Sequence, residues 1–135
     1  TKILIYFGGI IMSRIKGTIT PSEYEVLEVM WNADEEMTAS EIVKISQNKT
    51  WKSSSVHLLM ASLLKKDLVE ISGFKKTTKN FARTFKPSIS KSNFILNEAL
   101  EFFNNDLDKF YDMLIEKSSN DVLKRTKAKI EKRLN

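Results

Sequence analysis

Lys75, Lys76 and Lys79 follow Gly73 closely and are interleaved with Thr77 and Thr78. Ammonium groups clustered on a polar turn suit the neutralisation of phosphates, which releases counterions and makes binding salt-dependent. About twenty residues upstream, Ser54, Ser55, His57, Leu58 and Ser62 offer small hydroxyls, one imidazole and one apolar tip, with no arginine. Hydroxyls can meet phosphates and base edges, and a leucine can touch a thymine methyl, so this set favours A·T-rich steps over arginine–guanine pairing. Lys52 and Ser53 extend it upstream, and Trp51 either packs or braces a phosphate.

The charge distribution agrees. The chain of 135 residues carries a formal net charge of +5. Between Lys49 and Lys86 there are nine basic residues against Asp67 and Glu70, a local net of +7 that leaves −2 elsewhere. A basic centre between near-neutral arms is what a phosphate-tracking surface looks like in sequence.

Other chemistries find little support. Cysteine is absent, which removes disulfides, thiolate metal sites and thiol nucleophiles. There is no glycine-rich phosphate loop, no histidine cluster and no nucleophile–base spacing. His57 is the single histidine and suits a structural or DNA-facing role better than a metal or a reaction. We therefore expect no catalytic residues, no metal and no cofactor.

These residues need elements to hold them. Thr20-Pro21-Ser22-Glu23 is a capping box with proline at its favoured first position, and Tyr24, Leu27, Met30 and Trp31 follow at helical spacing. Asn32 to Met37 breaks that pattern. Thr38-Ala39-Ser40-Glu41 repeats the start signal for a short helix with Ile42 and Ile45 inward, fading by Gln47-Asn48. A third helix starts near Ser53, with Val56, Leu59, Met60, Leu63 and Leu64 as one apolar stripe. Ser54, Leu58, Ala61, Ser62 and Lys65 project to the opposite side.

Residues 68–72 are rich in β-branched types and predict a strand, residues 73–80 a basic hairpin loop, and residues 81–85 the returning strand, ended by Pro87. The expected fold is mainly α with a small β-hairpin wing: a winged helix-turn-helix domain whose third helix enters the DNA major groove.

Beyond Pro87 the pattern is helical. Ile95, Ala99, Phe102 and Phe103 mark one helix. Asp106 caps a second, with Leu107, Phe110, Tyr111, Leu114 and Ile115 at i, i+3, i+4, i+7 and i+8. Ser119 or Asn120 caps a third, with Leu123, Ile130 and Leu134 among many lysines. Phe94 adds another aromatic ring. So many apolar side chains on short helices call for a second copy, with Phe102, Phe103, Leu107, Phe110, Tyr111, Leu114 and Ile130 as expected dimer contacts.

The domain plan is residues 1–17 as a leader, 18–87 as the winged-helix domain and 88–135 as a helical dimerisation domain. Residues 1–11 are apolar but too short for a bilayer span of about 20 residues. SRIKG stands where a small-residue cleavage site would follow a signal peptide, so Met12 is read as the natural start. The protein is expected in the cytoplasm, without membrane insertion.

The run Ile19-Thr20-Pro21-Ser22-Glu23-Tyr24-Glu25-Val26-Leu27, closed by Trp31, resembles the penicillinase-repressor (BlaI/MecI) family of bacterial winged-helix regulators. The likeness continues through Thr38-Ala39-Ser40-Glu41-Ile42-Val43, Trp51, Val56 to Leu59 and Leu63-Leu64-Lys65-Lys66-Asp67-Leu68-Val69, covering residues 19–85. The resemblance implies a homodimeric repressor on a palindromic operator of β-lactam-resistance or related genes. It also implies relief by cleavage of the tail, triggered by a membrane sensor protease.

Two departures stand out. Where the family's recognition helix usually carries Lys-Thr and Arg-Thr pairs, this chain has Ser54-Ser55 and His57-Leu58, so the operator sequence does not transfer. The family's Asn-Phe cleavage bond aligns without gaps to Met113-Leu114. The alternative functions are a winged-helix protein-interaction module, or a repressor governed by a small ligand.

Overall fold

The computed structural model describes residues 19–135; the proposed leader and Met12 lie outside the described residues. The chain divides into two compact units, the first ending at Glu98 and the second running from Ala99 to Asn135.

The first unit opens with helix α1, Pro21–Ala33. Its start is fixed locally: the Thr20 hydroxyl accepts from the Glu23 amide at 3.2 Å, and the Glu23 carboxylate accepts from the Thr20 amide at 3.0 Å. Two of the free amide donors at the helix start are thereby satisfied. It ends where Asp34 turns left-handed, with φ 52. Strand β1, Met37–Thr38, precedes helix α2, Ala39–Ile45, whose Thr38–Glu41 capping box repeats the first one.

A 3-10 turn at Ser53–Ser55 leads into helix α3, Val56–Lys65. Strands β2, Val69–Lys76, and β3, Phe81–Pro87, form the wing, and helix α4, Lys91–Phe102, follows. The sheet is antiparallel in the order β1-β3-β2. Met37 stands opposite Phe85 on one side of β3, and the β2 register shifts between Ile71 and Gly73 on the other.

One core joins these pieces. Val26, Leu27 and Met30 of α1, Met37 of β1, Ile42 of α2, Val56, Met60 and Leu63 of α3, Val69 of β2 and Phe85 of β3 are all buried. Phe94 belongs here too, and not with the tail aromatics: it packs against Trp31 at 5.5 Å and Tyr24 at 6.3 Å between ring centres. Trp31 is half-buried, its indole N–H donating to the Ile89 carbonyl at 2.9 Å.

Three local expectations need correction. The sheet has three strands, because the break after α1 contains β1. The first half of the expected loop, residues 73–76, is strand, and residues 77–80 form the turn. Ile45 is 46% exposed, not inward, because α2 ends at that residue.

The second unit contains the end of α4 and helices α5, Leu107–Lys117, and α6, Asn120–Leu134. Asn104 and Asn105 turn left-handed between α4 and α5, a conformation asparagine tolerates better than most residues. Asp106 caps α5 through the Lys109 amide and Ser119 caps α6 through the Val122 amide. Phe103 packs on Phe102 and Phe110 at 5.7 and 5.4 Å. No residue of α5 or α6 is buried.

Candidate nucleic-acid interface

Helix α3 has two faces with opposite tasks. Val56, Met60 and Leu63 are buried in the core, while Lys52, Ser53, Ser54, His57, Leu58, Ala61 and Lys65 are exposed. Leu58 is 76% exposed in the first turn of the helix, where an apolar side chain gains little from the rest of the chain. Ser55 is half-buried at the 3-10 turn.

The start of this segment is uncapped. Neither Lys52 before the 3-10 turn nor Ser55 before the α-helix makes a side-chain cap, and the Ser55 amide donates to the Lys52 carbonyl. Free amides at a helix start attract anions, so exposed Lys52, Ser53 and Ser54 form a phosphate-compatible edge.

The loop before it is anchored. Thr50 donates its amide and hydroxyl to the Glu25 carboxylate at 3.1 and 2.7 Å. Trp51 is 7% exposed and packs in the core of the first unit. Its indole N–H has no hydrogen-bond partner among the described residues, and the Lys49 ammonium sits 5.6 Å from its ring centre.

Ser62 departs from expectation. It is half-buried and donates its hydroxyl to Glu23 at 2.6 Å, and Lys66 donates to the same carboxylate at 2.7 Å. Burial pushes the Glu23 pKa up, but the bonds from Lys66, Ser62 and the Thr20 amide outweigh it and hold the carboxyl below its ordinary value. Ser62 therefore joins the lock between α1 and α3. Only Glu23 itself could have revealed this, because its capping role spends one oxygen and leaves the other to be paired.

The wing lysines separate. Lys75 and Lys76 lie in β2 and only Lys79 lies on the turn, where the Thr77 amide donates to the Asn80 carbonyl at 2.6 Å. Lys75 pairs with Glu41 at 2.9 Å. The Thr38 amide, then Lys75, hold the Glu41 carboxyl below its ordinary value, and Glu41 raises that of Lys75. Lys76 and Lys79 remain exposed.

Residues 19–134 match the penicillinase repressor family. The chain belongs to that family. No curated protein matches it significantly.

Among solved structures, this penicillinase-repressor family member is similar to a mutant of MepR from S. aureus bound to an oligodeoxyribonucleotide, with TM-score 0.51 and 18% identity over 98% of this chain and 88% of that one. It is also similar to a possible transcriptional regulator from Methanosarcina mazei Go1, with TM-score 0.51 and 16% identity over 86% and 89%. A MepR mutant from a multidrug-resistant S. aureus clinical isolate gives 0.50 and 19% over 98% and 88%. At such identities the likeness concerns the fold, a winged helix. Among the described residues, no helix is long and apolar enough to cross a membrane, and no group of three or more acidic or histidine side chains is placed to hold a metal.

Proposed function

We propose that this penicillinase-repressor family member is a homodimeric transcriptional repressor that binds a palindromic DNA operator through α3. The observation that carries the reading is the outer face of α3, where His57, Leu58, Ala61 and Lys65, with Ser54 on the 3-10 turn before it, stand exposed while the other face of the helix is locked into the core. Lys52, Ser53 and Ser54 would take phosphate at its start, and Lys76 and Lys79 along the wing.

Dimerisation is supported by the second unit. Leu107, Tyr111, Leu114 and Ile115 form an exposed stripe along α5, and Val122, Ile130 and Leu134 are exposed on α6. A second copy burying these faces would give two recognition helices and a two-fold operator with half-sites ~34–36 Å apart.

Family membership supports β-lactam-resistance or related genes as targets. It also supports relief by a membrane sensor protease acting at Met113-Leu114. Both residues are exposed, within α5, so cleavage there requires local unwinding and cuts the apolar stripe in two.

The test is a mobility shift on promoter fragments with excess non-specific duplex, across graded salt. The repressor reading expects a retained, sequence-selective complex that weakens as salt rises. A folded dimer that shows no selectivity at any salt would favour a protein-interaction module.

A further inference from the structure

Helix α5 carries Asp108, Asp112 and Glu116 four residues apart, and helix α6 carries Arg125, Lys129 and Arg133 at the same spacing. Residues four apart stack on one helix face, so each triplet is a stripe of one sign, about 12 Å long. All six side chains are exposed. Among the described residues none of the six joins an ion pair, along its own helix or with the other.

Like charges at this spacing repel each other and weaken the helix that bears them. The helix dipole accounts for Asp108 in the first turn of α5 and Arg133 in the last turn of α6, where those signs are favoured. It does not account for Glu116, which stands in the last turn of α5 against the dipole, nor for Asp112 and Lys129 at the middle of each stripe. Each charged stripe also runs beside an apolar one. Every acid directly follows an exposed apolar residue, Leu107, Tyr111 or Ile115, whereas Lys129 and Arg133 directly precede Ile130 and Leu134. The acids thus border their apolar stripe on one flank, and the bases border theirs on the opposite flank.

We propose that the acidic stripe of α5 pairs with the basic stripe of α6 in a second copy of this chain, forming a charged seam that sets partner choice. A polyanion would satisfy the bases but face the acids with its own sign; a surface bearing both stripes answers both. When two helices run parallel with their apolar stripes in contact, opposite flanks face each other, and charges there govern partner and orientation. Asp112 then meets the partner's Lys129 at the centre of the seam. Two-fold symmetry builds the seam twice, because each copy receives what it offers. The apolar stripes alone would accept many helices, whereas the charges reject a partner whose signs do not match. This rests on the homodimer reading and adds to it the contacts that make the dimer selective.

Sedimentation velocity of full chains with reversed stripes tests the assignment. One variant carries Asp108→Lys, Asp112→Lys and Glu116→Lys, the other Arg125→Glu, Lys129→Glu and Arg133→Glu. Each alone sets like charges across both seams and should self-associate at least about tenfold more weakly, as several exposed pairs turn from attraction to repulsion. Mixed in equal amounts, the two restore opposite signs at both seams and should form a heterodimer about as tight as the wild-type dimer. Circular dichroism should show wild-type helix content in both. The chain has no cysteine, so Asp112→Cys with Lys129→Cys in one chain should give a disulfide between copies under a mild oxidant, without background.

If the wild type dimerises and both reversed variants do so equally tightly, or the cysteine variant forms no linked dimer, the seam is overturned while the homodimer reading stands. If mixing the reversed variants restores no dimer, the seam is overturned in the same way. If the base-reversed variant still dimerises but loses DNA affinity, the basic stripe belongs to DNA and the seam is again overturned. If the wild type is a monomer, both readings fall.

Discussion

The Ser62 hydroxyl lies 2.6 Å from Oε1 of Glu23, joining the C-terminal half of α3 to the first turn of α1. Glu23 also accepts from Lys66 and from the Thr20 amide, so one buried carboxylate caps one helix and sets the position of another. The angle at which α3 presents its outer face is thus coupled to a residue that never reaches that face.

Replacing Glu23 with glutamine should destabilise the first unit by about 1–3 kcal/mol at neutral pH, the usual range for charge-assisted hydrogen bonds to a buried group. The native carboxyl titrates below its ordinary value, so its contribution is fully present above the unfolded-state value and is lost as pH falls through the native one. Denaturant unfolding of wild type and Glu23→Gln should therefore differ most near pH 7 and converge in acid. A constant difference across pH would show that the ionised carboxylate is not the source.

Leu58→Ala should leave the melting temperature almost unchanged, because the side chain is largely solvated. Its effect should fall on preference between operators, most of all at thymine-bearing positions, because an apolar tip there reads the methyl group. Competition between paired duplexes differing at single steps measures this. Equal loss across all sequences would make Leu58 a positioning contact.

The wing lysines should not act alike. Lys76→Ala and Lys79→Ala should each reduce the salt slope by about one, weakening binding evenly across sequences. Lys75→Ala should change the slope less, because Glu41 already neutralises that charge. Equal slope changes for all three would mean that the Lys75–Glu41 pair opens on DNA.

How much of this could be read beforehand follows from distance along the chain. Both capping boxes span three residues, and Thr20–Glu23 and Thr38–Glu41 are found where their sequences place them. The apolar stripe of α3 is equally local. Strand β1 escaped because two residues carry no periodicity and its partner, Phe85, lies 48 positions away. Sequence alone makes the wing too short because Gly73 and the lysines have loop composition, while pairing to β3 keeps them extended. Ser62 turned inward because its acceptor sits on a different helix, and nothing in the spacing around Ser62 announces that. Sequence proximity places Phe94 with the tail aromatics, whereas Trp31 and Tyr24 draw it into the first unit's core.

The tail should govern assembly. Tyr111→Asp with Leu114→Asp places two charges on the exposed stripe of α5 and should convert the proposed dimer to monomer in sedimentation velocity, with operator affinity falling at least about tenfold as avidity is lost. A dimer that persists would place the interface elsewhere.

The most direct test of a dimeric, sequence-specific regulator is selection of binding sites from random duplex DNA at near-physiological salt. The account predicts an enriched palindrome with half-sites about one helical turn apart, ~34–36 Å. A folded, dimeric protein that enriches no sequence would contradict it.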